Sequence, residues 1–348
     1  MNTASVPVKE PVQASLPPAK AAHADVVVAA TNSKLRLRAL LAVPIMSAIG
    51  IVIHLTVRKN DPEPDTTSYL IFLGGILGLS LLAGAAQFYF DGRLRRWMAH
   101  MFPIIAGAIG LLCAWEVITS GVRLLPLPYF PSPASVLRNM ILDWELLFDS
   151  TWHSLLLLLG GYLLGAVIGI ITGICIGWFR QARYWGMPML KVIGPIPATA
   201  WIPLAMVISP KAVFSAVGLI ALAVWFPVTM LTMSGIANTR ASYLDVARTL
   251  GAKPAFLIFR VAIPAAMPNI FIGLFMGLGT SFLTLVVAET VGVRSGLGWY
   301  LGWAQAWAEY AKVFAALVIM AAFFSTIMTL LFKLRDRVLA WQKGIIKW

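Results

Sequence analysis

Residues 152–178 read WHSLLLLLGGYLLGAVIGIITGICIGW, with no Asp, Glu, Lys or Arg among them. The hydrocarbon core of a bilayer is about 30 Å thick, and a helix needs about 20 mostly apolar residues to cross it. A helix this long in water would have to show a charged face. This one has none, so lipid is its natural solvent. Seven further runs of similar character lie at 39–57, 69–90, 102–119, 188–208, 212–235, 267–289 and 313–333. The expected fold is therefore all-α: a polytopic membrane helix bundle of about eight spans. The run at 188–208 is the least regular, because Lys191, Pro195, Pro197 and Pro203 interrupt it.

Composition agrees. Of 348 residues, 59% are hydrophobic and 12% charged, against about 25% charged in soluble domains. The net charge of +13 would suit nucleic acid if it formed one patch. Instead the basic residues sit in short groups between apolar runs, so no nucleic-acid partner is expected. Threading eight spans with the N-terminus in the cytoplasm puts Arg93, Arg95, Arg96, Arg180, Arg183, Arg240, Arg248, Arg260 and the basic C-terminal group inside. Arg58, Lys59, Arg123, Arg138, Lys211, Arg294 and Lys312 fall outside. Excess Lys and Arg marks cytoplasmic loops, so both termini are expected there. Cys113 and Cys175 lie within apolar runs and suggest neither a disulfide nor a metal site.

Residues 1–33, rich in Ala, Pro and Val, lack the compact apolar core of a signal peptide and read as a disordered cytoplasmic tail. Residues 34–98 form a two-span extension, 99–340 the main membrane core, and 341–348 a cytoplasmic end. No repeat of fixed short period is evident. Residues 122–150 form an outer loop with a short amphipathic helix.

The loop 236–266 carries the most specific pattern. Residues 242–264 read SYLDVARTLGAKPAFLIFRVAIP. Ser242 and Asp245 have the spacing of a capping box, and Leu244, Ala247 and Leu250 share one face of a short helix. Gly251 falls where a left-handed C-cap belongs, and Pro254 suits the first turn of a second helix. Pro264 and Pro268 are expected to end that helix and start the next span. The residues thus describe a helix–Gly–helix elbow.

This segment resembles the EAA signature of ABC-importer permeases: acid-Ala-Ala, three residues, Gly, nine residues, then apolar-x-apolar-Pro. Asp245-Val246-Ala247, Gly251 and Val261-Ala262-Ile263-Pro264 occupy those places, with Asp for the usual Glu and Val246 for the first Ala. LPYFPSP (127–133), GPIPATAWIPL (194–204), TLVVAE (284–289) and SGLGW (295–299) are similar to the nitrate/sulfonate/taurine/bicarbonate branch of that family. The likeness covers about residues 100–340.

The resemblance implies that Ser242, Leu244, Asp245, Val246, Ala247, Arg248, Gly251 and Pro264 couple the chain to a pair of ATPase subunits. ATP and Mg would be bound by those partners. This chain has no Gly-x-x-x-x-Gly-Lys-Ser/Thr loop and is expected to hold no cofactor, to use no metal and to catalyse no reaction. The other implied partners are an extracytoplasmic substrate-binding protein, a second copy of the chain and membrane lipid, in a bacterial inner membrane. The implied cargo is a small anion.

Three prolines cannot share a straight helix, and broken backbone is tolerated in lipid only where protein or a water-filled cavity satisfies it. Pro195, Pro197, Thr199, Trp201 and Pro203 are therefore placed beside the substrate path, with Thr280, Ser281, Thr284 and Glu289. Intramembrane Glu116, Lys191 and Glu289 read as groups that snorkel or pair near an interface, or as gating groups. Two other functions compete. A stand-alone ion-coupled transporter needs deep coupling carboxylates, and 152–178 and 212–235 have none. A lipid-modifying enzyme needs a polar catalytic set near one interface, and no such set stands out.

Overall fold

A computed structural model describes residues 40–57, 67–86, 92–125, 128–209 and 211–342. The expected tail at 1–33, Leu127 of the outer-loop motif and residues 343–348 lie outside that set. The described residues are mostly helical and contain no strand. Among the described residues, seven helices are long and apolar enough to cross a membrane, or eight if one bent pair counts as a span.

Described residues up to Leu125, with Ser132–Ala134, form one compact unit, and the remainder form a second. The first unit contains α1 (Leu40–Val57), α2 (Thr67–Ala86) and α3 (Gly92–Glu116), which runs on through a wide π turn, Val117–Gly121. His54 on α1 and Glu116 on α3 are fully buried and bonded through Nδ1 and Oε1, and the Tyr69 ring of α2 meets the imidazole edge-on at 5.0 Å. Glu116 does not snorkel. Its carboxyl is bonded to a histidine 62 positions earlier, the kind of partner an ionisable group in lipid requires.

The second unit is built on α5 (Trp144–Trp178), α8 (Ala212–Ala237) and α11 (Ile263–Val291). Gly161, Gly165, Gly169, Gly173 and Gly177 recur every four residues along α5, forming a bare groove. Ile220, Val224, Val228, Thr232 and Ile236 of α8 fill it at the same interval. A Cβ on Gly173 would stand 2.6 Å from Thr232 Cβ, and one on Gly177 2.8 Å from Ile236 Cβ. Small residues let helix backbones approach in lipid, where close packing rather than water exclusion drives association. The four-residue glycine period is a fixed short repeat after all. Tyr162 and Gly277 extend the packing to α11: the Tyr162 hydroxyl donates to the Leu274 carbonyl at 3.0 Å, and Gly277 faces Val224 and Val228.

The remaining elements depart from the expected spans in two places. The short helix of the outer loop is α4 (Pro133–Leu142), and α5 begins at Trp144 rather than 152. The run at 188–208 is α6 (Arg180–Ile193), a 3-10 turn (Ala198–Trp201) and α7 (Ile202–Ile208), bent by 84°. Pro195 and Pro197, which cannot donate backbone hydrogen bonds, sit in the bend. Lys191 ends up exposed in the last turn of α6.

Candidate functional site

Three structures built from the motif residues concern function: an elbow, a cavity and a carboxylate latch.

The elbow begins with α9 (Ala241–Thr249), which follows an N-cap at Arg240. Ser242 is therefore already inside the helix, and the expected capping box does not form. Asp245 instead pairs with Arg248 at 3.0 Å on the exposed side. The glycine stop is as expected. Gly251 has φ +81°, its amide donates to the Arg248 carbonyl at 2.9 Å, and the Ala252 amide donates to Ala247 at 3.0 Å. Those two bonds close a Schellman motif. Pro254 opens α10 (Pro254–Phe256), which continues through a π turn, Leu257–Ala262, straight into α11. Pro264 and Pro268 thus do not separate the second helix from the span. The wide turn lies just before Pro264 and accommodates a ring that can neither donate nor fit a regular turn.

Leu244 and Ala247 face inward, half-buried, whereas Leu250 is exposed. Leu250 (83%), Phe259 (67%), Val246 (60%) and Phe256 (52%) present an apolar surface to the outside. A groove of about 690 Å³ between Ala247 and Arg260 is lined by three of these side chains, Leu250, Phe256 and Phe259, together with Gly251.

The cavity, about 390 Å³, lies where the broken segment meets α8 and α11. Pro197 and Thr199 line it together with Phe226, Met276, Thr280 and Thr284. The remaining expected pathway residues fall elsewhere. Pro195 and Pro203 are exposed but outside this lining, and Trp201 belongs to a separate apolar pocket against Leu204 and Phe214. Ser281 is fully buried and donates to the Leu278 carbonyl at 2.8 Å.

Glu289 is 1% exposed and does not line the cavity. Its Oε1 accepts from the Ser154 hydroxyl of α5 at 2.7 Å and its Oε2 from the Gly298 amide at 2.8 Å. The Leu297 amide donates to Ser154 Oγ at 2.8 Å, closing the set. These amides belong to the first turn of α12 (Leu297–Ala306), so the carboxylate sits at the positive end of that helix. The SGLGW segment now has a physical reason. Gly296 takes φ +106° against the carboxylate, and a Cβ on Gly298 would lie 2.9 Å from Glu289 Cβ. Sequence reading missed Ser154 because nothing local ties it to a residue 135 positions away.

A second tie stands beside α12. The Tyr300 hydroxyl donates to Asp143 Oδ2 at 2.7 Å, and Lys312, at the start of α13 (Tyr310–Val338), reaches Asp143 at 3.3 Å and Glu309 at 2.7 Å. Burial, then the hydrogen bond to Asp143, pushes the Tyr300 phenol well above its ordinary pKa, so it remains a donor. Among the described residues, no group of three His, Cys, Asp or Glu side chains is placed to hold a metal.

An all-helical membrane bundle with a glycine-capped elbow and a proline-broken helix points to a transport-type membrane component. The family model described as binding-protein-dependent transport system inner membrane component matches residues 165–340, half the chain, and the chain belongs to that family. It is 32% identical over 163 residues to a probable ABC transporter permease protein of Haemophilus influenzae, covering 47% of this chain and 66% of that protein. It is 29% identical over 192 residues to the bicarbonate transport system permease protein of Synechococcus elongatus, covering 52% and 69%. It is 32% identical over 166 residues to the putative aliphatic sulfonates transport permease protein of Bacillus subtilis, covering 47% and 59%. The chain thus spans about two thirds of the length of these relatives.

Proposed function

We propose that this chain is the membrane-spanning subunit of an ATP-driven importer for a small anion, working as a pair of identical copies in a bacterial inner membrane. Its elbow, on the cytoplasmic side with both termini, docks into a pair of ATPase subunits that bind the ATP and Mg. An extracytoplasmic binding protein delivers the solute. Closure of the ATPase pair draws the elbows together and switches the spans from inward- to outward-open. Reopening returns them after the solute has entered.

The observation that carries this reading is the elbow. Four large apolar side chains are exposed on a segment with a rigid glycine stop, and exposed apolar clusters mark interaction surfaces. Because the elbow continues without a break into α11, force applied to it reaches the bundle directly. The anion reading rests on the relatives: one is named for bicarbonate and another for aliphatic sulfonates.

The test is cysteine crosslinking from Val246 and Leu250 in cells that co-express the neighbouring ATPase. Crosslinks to the ATPase are expected. Gly251→Pro, or Asp245→Lys with Ala247→Glu, is expected to abolish uptake while the chain still inserts. Normal uptake by those variants, or elbow cysteines modified only from outside the cell, would overturn the reading.

A further inference from the structure

The cations of α13 are treated differently at its two ends. At the start of the helix Lys312 is paired within the protein, 3.3 Å from Asp143 and 2.7 Å from Glu309. Near the other end stand Lys333, Arg335 and Arg337. Arg335 is also paired: it bonds Asp336 at 2.8 Å and lies over the stacked rings of Phe275 and Phe332, 5.7 and 5.0 Å from their centroids. Lys333 and Arg337 are exposed and have no hydrogen-bond, ion-pair or ring partner among the described residues.

Their depth follows from the chain that precedes them. Residues 313–332 carry no charge. Twenty helical residues rise about 30 Å, the thickness of the hydrocarbon core. Lys333 and Arg337 therefore fall about 2–8 Å past it, within a headgroup layer of about 5–7 Å. They are four residues apart and share one face with Leu330 and Leu334, both exposed. Trp341, exposed just beyond the helix, is a side chain that favours the membrane interface. The face is thus apolar up to the edge of the hydrocarbon and doubly cationic at the level of the lipid phosphates. From Lys333 to Trp348 the sequence sets Lys333, Arg335, Arg337, Lys343 and Lys347 against Asp336 alone, a basic excess of the kind that binds anionic lipid beside a span. An acidic protein surface would meet the cations but not the leucines beneath them, which lie at hydrocarbon depth.

We propose that this face of α13 binds an anionic phospholipid, its phosphate held between Lys333 and Arg337 and an acyl chain lying along Leu330 and Leu334. The site depends on the span and not on the importer reading, because all of its groups belong to one helix.

The test uses the full-length chain with Cys175→Ser and Thr326→Cys, one turn further into the bilayer on the exposed side of α13, labelled with a bimane fluorophore. The chain is reconstituted in phosphatidylcholine bilayers at low salt, and phosphatidylglycerol or phosphatidylcholine brominated midway along its acyl chains is added as quencher. Phosphatidylglycerol is expected to associate about 30-fold more strongly, about fivefold for each cation. Lys333→Gln or Arg337→Gln is expected to retain about fivefold and the double variant no preference, whereas Lys211→Gln leaves it unchanged. Salt at 1 M is expected to shrink the wild-type preference severalfold, because the screening length falls to about 3 Å. Inorganic phosphate at constant ionic strength is expected not to displace the lipid. Equal association of the two lipids with the wild-type chain, a preference that survives in the double variant, or displacement by inorganic phosphate overturns the proposal. A double variant that keeps its lipid preference but no longer co-purifies with the ATPase would assign the two cations to that partner instead.

Discussion

Glu289 gains its place from partners that no local pattern announces. A carboxylate in lipid costs several kcal/mol unless it is paired or hydrogen-bonded. Here two donors from different segments meet it, and one of them is the first turn of a helix. Glu289→Ala orphans the Ser154 hydroxyl and the Gly298 amide. At about 1–3 kcal/mol for each buried unsatisfied group, we expect a loss of roughly 2–6 kcal/mol, read as a lowered midpoint of thermal unfolding in detergent. Glu289→Gln keeps one acceptor and is expected to fall between wild type and alanine. Gly296→Ala should resemble the alanine variant, since its φ of +106° and the adjoining carboxylate leave no place for a Cβ. The sequence marked Glu289 as a charge needing a reason. It offered no partner, because Ser154 reads as one more small residue at the start of an apolar run.

At the scale of elements, spacing held more than hydropathy revealed. The glycines of α5 were in plain view at a four-residue interval, yet a reading that asks only whether a run is apolar sees length and not the groove. Their role makes a prediction with two signs. Gly173→Ala forces a Cβ to within 2.6 Å of Thr232 and 2.8 Å of the Thr229 carbonyl, and overpacking of this kind costs about 1–3 kcal/mol. Gly160, one position outside the groove, has only Val217 Cγ2 at 3.9 Å, so Gly160→Ala is expected to be neutral or to stabilise by up to about 1 kcal/mol, the helix-interior cost of glycine. Equal unfolding midpoints for the two variants would refute the groove. In the other unit, His54→Leu alone leaves Glu116 buried without its partner and is expected to cost about 3–5 kcal/mol. His54→Leu with Glu116→Leu is expected to recover most of that, measured as the yield of folded protein from membranes. The 84° break was legible because Pro195 and Pro197 forbid a straight helix whatever surrounds them. The unbroken passage from α10 into α11 was not, because the π turn that absorbs Pro264 depends on main-chain geometry that residue types alone do not specify.

For the whole molecule, the question is how an exposed elbow can matter to a bundle it barely supports. Leu250 is 83% exposed, so changing it should alter the chain's own stability by no more than about 0.5 kcal/mol, as at most surface sites. If the elbow docks, the same side chain becomes buried against a partner, and a fully buried leucine is worth about 1.5–3 kcal/mol. Leu250→Ser is therefore expected to weaken association with the ATPase roughly 10- to 150-fold while the unfolding midpoint stays unchanged. Gly251→Ala should act differently. Nothing lies within 4 Å of the added Cβ, but φ of +81° costs an L-residue about 1–2 kcal/mol, so the stop distorts and the apolar side chains remain. Binding should then survive in part, while ATP hydrolysis loses its response to solute and binding protein. Co-purification measured beside stimulated ATP hydrolysis separates the two effects. Identical behaviour of the two variants would mean that the glycine stop and the apolar surface are not separate parts of one coupling device. Loss of folding in Leu250→Ser would mean that the surface serves the chain itself rather than a partner.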